Sequence, residues 1–177
     1  MTLFPDQQPM DVPEPEGSDA KEVFAFFGLC TYNIQVVEQG LINLVVGLRA
    51  KGLTGLTAQK FDVLFDEMGK KTLGQLIADI RRHIAVSSEL EDALTTALQE
   101  RNYIAHHFFA SHDVDFMSDK GRVDMIRELR RSIMRFQTLD RQIDLIAHPL
   151  FEKLGLTEEI IQKELAKKKA EAASKDL

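Results

Sequence analysis

The stretch GRVDMIRELRRSIMRFQTLDRQIDLIA, residues 121–147, decides the fold class. Its apolar residues Met125, Leu129, Ile133, Phe136, Leu139, Ile143 and Ile146 recur every three or four positions, as on one face of an α-helix. A half-buried strand would alternate at period two instead. The stretch reads as a long amphipathic helix starting near Gly121, with Pro149 expected to kink or end it. Arg127, Arg130, Arg131 and Arg141 lie away from its apolar face, either as an ordinary solvated surface or as a track for phosphates.

The same period extends toward the N-terminus. Ser18 is a candidate N-cap, and helical patterning runs from there to about Arg49, where Lys51-Gly52 and Gly55 end it. Thr57 caps a short second helix carrying Phe61, Leu64, Phe65 and Met68. Thr72 caps a third, with Leu73, Leu76, Ile77, Ile80 and Ile84 at helical spacing. Ser88-Glu89-Leu90-Glu91 is a capping-box pattern opening a fourth helix that reaches about Phe109. The polar run Ser111–Asp119 reads as a loop, and Thr157 as the cap of a last short helix before Lys167-Lys168-Lys169. The expected fold is all-α, a compact bundle of about five helices over residues 18–155. A disordered, proline-rich, acidic arm precedes it over residues 1–17, and a short helix and charged tail follow over residues 156–177.

Composition agrees with this layout and narrows the function. A chain of 177 residues is long enough for one self-sufficient core. One cysteine, Cys30, cannot form an internal bridge, which fits a reducing, cytoplasmic compartment. The N-terminus lacks the basic start and apolar core of a signal peptide. Residues 23–48 are apolar, but Asn33, Gln35, Glu38, Gln39 and Asn43 interrupt them, so a buried core helix is expected and no membrane span. A charge at mid-bilayer would cost ~2.5 kcal/mol or more. The net charge of −6 excludes a generically basic nucleic-acid coat, so any RNA contact must be local.

Two charges break the apolar pattern. On the first helix, Phe27, Ile34, Leu41, Val45 and Leu48 define the apolar face, and Glu38 falls near its middle. On the fourth, Leu90, Leu94, Ala97, Leu98, Ala105 and Phe108 do so, and Arg101 falls near the middle. An isolated buried charge is penalised by several kcal/mol, so the economical reading pairs Glu38 with Arg101 or places both in one polar pocket. A plain internal salt bridge would explain the two residues equally well.

Asn102 and His106 stand four apart and share one helical flank beside Arg101. A permanent cation, an amide and an imidazole thus gather within one and a half turns. Cleaving RNA without a metal needs such parts. A base takes the ribose 2′-OH proton, an acid protonates the leaving 5′ oxygen, and a cation steadies the phosphate charge. Histidine titrates near neutrality and serves either role, and arginine grips phosphate oxygens with a two-pronged fork.

In Arg101-Asn102-Tyr103-Ile104-Ala105-His106 the chain resembles the HEPN domains (higher-eukaryote and prokaryote nucleotide-binding), whose signature is Arg and His separated by four to six residues with a polar residue after the Arg. The resemblance covers roughly residues 18–150 and extends to a helical bundle with the motif late, on one long helix. It implies an all-α, HEPN-like fold and a homodimer that brings two motifs into one cleft. It also implies metal-independent RNA cleavage, commonly by a toxin or defence component with an antitoxin or regulatory partner. Carried over, Arg101 and His106 are the catalytic pair, Asn102 the polar helper, and Glu38 the polar residue from an earlier helix. One departure is His106-His107-Phe108, where a toxin subgroup continues His-x-Tyr. Other members are non-catalytic interaction or nucleotide-binding modules that regulate a partner, and this is the rival expectation.

Other signals lead nowhere comparable. His106, His107, His112 and Asp113 match no zinc spacing, so no metal is expected. No glycine pattern fits a phosphate loop or a dinucleotide fold, so no cofactor is expected. Cys30 falls on an apolar face with no base nearby and reads as an inert core thiol.

Overall fold

The computed structural model describes residues 12–53, 55, 57–156, 159, 160, 162, 163, 166 and 167. Among these the chain is all-α. It comprises α1 (Ala20–Ala50), α2 (Ala58–Gly69), α3 (Leu73–His83), α4 (Ser88–His106), the single turn α5 (Phe108–Ser111) and α6 (Asp119–Lys153). A 3₁₀ turn at Asp115–Met117 joins α5 to α6. Thr157 and the charged tail lie largely outside the described residues.

Local chemistry explains the starts. Thr57 and Thr72 cap α2 and α3 as expected, and Thr72 and Gln75 exchange bonds in a reciprocal capping box. Elsewhere the caps shift slightly. Asp19 caps α1 in place of Ser18, accepting from the Glu22 N–H at 2.9 Å. Ser87 caps α4, so Ser88-Glu89-Leu90-Glu91 becomes its first turn. Ser118 caps α6, three residues before Gly121.

Two ends differ from expectation for physical reasons. α4 stops at His106 and does not reach Phe109, because the backbone leaves helical geometry at His107 (φ −128°, ψ −19°). Past the break both the Phe108 and Phe109 rings meet Phe27, at centroid distances of 5.9 and 4.9 Å. Pro149 does not end α6, which continues to Lys153. Pro149 and Leu145 are both exposed, so water can take the carbonyl that loses its N–H partner there.

α1 and α6 form the central pair and run in the same direction. Arg122 of α6 donates to the Ser18 carbonyl just before α1, Gly40 faces Asp140 and Ile143, and Gly47 faces Leu150 and Phe151. Both glycines let the two backbones approach. The core is built from Phe26, Ile34, Leu41 and Val45 of α1 with Met125, Leu129, Ile133 and Phe136 of α6. α4 lies antiparallel to this pair, closed by Leu90, Leu94, Ala97 and Ile104. α3 packs antiparallel to α4, with Gly74 beside Leu98 and Arg81 bridged to Glu91. Residues 12–18 run along α6 without regular secondary structure, Glu14 pairing with Arg130. No helix among the described residues is long and apolar enough to cross a membrane.

Candidate functional site

Arg101 continues the buried stripe Leu94, Ala97, Ile104 on α4 and meets α1 there. Its Nε donates to Glu38 Oε1 at 3.2 Å. The two side chains are 31% and 28% exposed, so the pair sits at the rim of the α1–α4 seam and not in the core. Both lie shallower than the middle of an apolar face implies, at the edge of the α1–α4 contact where water reaches them.

Arg101 Nη1 donates to Asn102 Oδ1 at 3.3 Å. Glu38, Arg101 and Asn102 therefore form one connected group. Nη2 of Arg101 makes no hydrogen bond among the described residues and is free for an incoming anion. Asn102, Ala105 and His106 are all exposed. His106 makes no hydrogen bond to the other three. It is the last residue of α4, with the His107 ring at a centroid distance of 6.2 Å. Five residues of helix set it about 7.5 Å along the axis from Arg101.

A second cluster escaped the sequence. His112, largely buried, holds Nδ1 at 2.8 Å from Asp115 Oδ2 and Nε2 at 3.2 Å from both Glu128 Oε2 and the Tyr103 hydroxyl. Its ring also lies against Phe108, at 4.9 Å between centroids. Burial raises the Tyr103 hydroxyl above its ordinary range, and the Glu128 carboxylate adds to this. One imidazole thus ties the end of α4, the 3₁₀ turn and α6 together, just behind His106. No spacing rule links residues 103, 112, 115 and 128, because the helix break creates the meeting.

A third cluster was findable. Asp79 falls among Leu76, Ile77 and Ile80 on the apolar stripe of α3, the same anomaly that exposed Glu38, and it is buried. Arg49 Nη2 and Arg82 Nη1 each lie 3.1 Å from its oxygens, and Lys71 joins them. Burial pushes this carboxyl up, but the Lys71, Arg49 and Arg82 charges outweigh it and hold it below the usual carboxylate range. The cluster pins α1 to α3.

The remaining candidates resolve simply. Of the α6 arginines, Arg127 is exposed and pairs with Asp124, while Arg130 is partly buried and pairs with Glu14. Cys30 is buried between α1 and its neighbours; burial, with Glu100 adding, pushes its thiol up to about 12. That thiol is not a nucleophile at neutral pH. Among the described residues no group of three His, Cys, Asp or Glu side chains is disposed to hold a metal ion. No family model, no curated protein and no solved structure matches the chain.

Proposed function

We propose that this chain is an HEPN-type, metal-independent RNA endonuclease acting as a homodimer. The observation that carries the reading is the connected Glu38–Arg101–Asn102 group at an open rim, with exposed His106 on the same helix. Glu38 positions the Arg101 guanidinium through Nε, and the free Nη2 grips a phosphate oxygen. Asn102 orients that phosphate. His106 acts as the acid or the base. The ribose 2′ oxygen loses its proton and attacks phosphorus, and the bond to the 5′ oxygen breaks as that oxygen takes a proton. The products are a 2′,3′-cyclic phosphate and a 5′-hydroxyl.

The test is cleavage of single-stranded RNA by the purified chain in EDTA. His106→Ala removes nearly all turnover without moving the melting temperature, because His106 is exposed and supports no packing. A 2′-deoxy residue at the cut site blocks the reaction. Toxicity on induction, relieved by His106→Ala, places the enzyme in a toxin or defence role with an antitoxin-like partner. If varied RNAs survive, or if cleavage requires added metal, the non-catalytic interaction module takes its place.

A further inference from the structure

The Glu38–Arg101 pair stands at one end of a longer strip of surface. Phe24, Phe27, Thr31, Gln35 and Glu38 fall within about 80° of one another around α1, so they share one face. They span fifteen residues, about 21 Å of helix. Antiparallel to them run Arg101 and Ala105 of α4, and then Phe109, which closes over Phe24 and Phe27 at centroid distances of 5.7 and 4.9 Å. The strip passes from a guanidinium and an amide at one end to aromatic rings at the other.

Two properties of this strip point to a ligand. The first is charge. In a chain with 28 acidic residues, α1 carries no charged residue at all from Val23 to Val37, and no acid lies between Arg101 and His112. Glu38 is the lone acid on the strip, and Arg101 matches it. The second is the exposure of Phe24, which is 54% open to water. Its neighbours Phe109 and Phe116 touch it at tilts of 47° and 50° and do not stack on it. Tilted contacts at its edges leave ring surface available for a planar partner.

We infer that the strip is a single-stranded RNA subsite, in which an unpaired nucleobase stacks on Phe24 beside Phe109 while the backbone runs toward Arg101. The ligand must offer both anions and flat π surfaces, and single-stranded polynucleotide offers both. A strand that lays a phosphate at Arg101 Nη2 can lay a base on Phe24 at the other end of the strip, which a purely apolar partner could not do. The identity of the polynucleotide rests on the ribonuclease reading; the stacking contact does not depend on cleavage.

The experiment is equilibrium binding of a fluorescein-labelled single-stranded RNA oligomer to full-length His106→Ala protein in EDTA, read by anisotropy. Adding Phe24→Ala weakens binding about 5- to 150-fold, the loss a stacked base carries on truncation of its platform. Phe24→Tyr restores most of it, because the ring face is kept. Phe24→Trp reports the contact directly, as indole fluorescence quenched on adding RNA. Unchanged affinity in Phe24→Ala, or no RNA binding by the His106→Ala protein, overturns the inference. So does a Phe24→Ala protein that dissociates in sedimentation yet binds RNA as before, since the strip would then belong to a second copy. Base stacking on Phe24 without cleavage by the wild-type chain would sink the nuclease reading and leave the subsite standing.

Discussion

Removing Glu38 tests how firmly Arg101 is held. A buried ion pair broken from one side costs ~3–5 kcal/mol, because the remaining charge is stranded in a poor solvent. A fully exposed pair is worth roughly 0.2–1 kcal/mol. With side chains 31% and 28% exposed, one 3.2 Å bond, and Asn102 Oδ1 still available to Arg101, the pair belongs near the lower class. Glu38→Ala should cost about 1 kcal/mol, which for a domain of this size lowers Tm by about 2–4 °C. Asp79 is the internal contrast, being only 2% exposed and facing three cations. Asp79→Ala should cost about 3 kcal/mol or more. Thermal melts of Glu38→Ala, Arg101→Ala and the double variant give the coupling energy, expected near 1 kcal/mol. A loss for Glu38→Ala as large as that for Asp79→Ala would refute the reasoning, and so would zero coupling. The outcome bears on mechanism, since a guanidinium bound this loosely can turn its free Nη2 to a phosphate without losing the fold.

Two further stability predictions follow from close contacts elsewhere. A Cβ at Gly121 would overlap the backbone of Asp115 in the 3₁₀ turn, so Gly121→Ala should lower Tm despite the better helix propensity of alanine, by about 1–3 kcal/mol of overpacking; a raised Tm would contradict the packing. Burial against α1 at Gly40, with Asp144 adding, pushes the Asp140 carboxyl up to about 6. Its folded pKa is raised, so its favourable contribution is complete below about 4 and is lost as pH rises through 6. Asp140→Asn should therefore raise Tm at pH 7.5 and bring no such gain at pH 4, and an equal shift at both pH values would rule this account out.

Periodicity alone revealed the long helices, because each buries one face and repeats its apolar residues accordingly. It also revealed Glu38 and Arg101, since a charge on an apolar stripe is visible on a helical wheel. The wheel cannot say how close the neighbouring helix comes, and so it placed the pair deeper than the rim where it lies. Asp79 carried the same signature in Leu76-Ile77-Ala78-Asp79-Ile80. The break at His107 was hidden, because it goes with the packing of Phe108 and Phe109 on Phe27, 81 and 82 positions away. With the break hidden, the meeting of His112 with Tyr103, Asp115 and Glu128 was hidden too.

That break constrains any chemistry at the site. The Tyr103–His112–Glu128 tie anchors the last turn of α4 to α6, while Glu38 ties Arg101 to α1. The helix that carries the motif is therefore held to the central pair at both ends, and the axial separation of Arg101 and His106 follows from helix geometry, not from a mobile loop. The helix cannot close on substrate, and only the exposed His106 side chain and the loosely held Arg101 guanidinium are free to adjust. In the proposed reaction one proton is removed at the 2′ oxygen and another delivered at the 5′ oxygen, on opposite sides of phosphorus. One imidazole cannot serve both positions at once. Water, the neighbouring exposed His107, whose ring lies 6.2 Å away between centroids, or His106 of a second copy can supply the other transfer. In the proposed mechanism a two-fold dimer, as the family resemblance implies, would set a second His106 at the same phosphate and so provide the group that one His106 lacks.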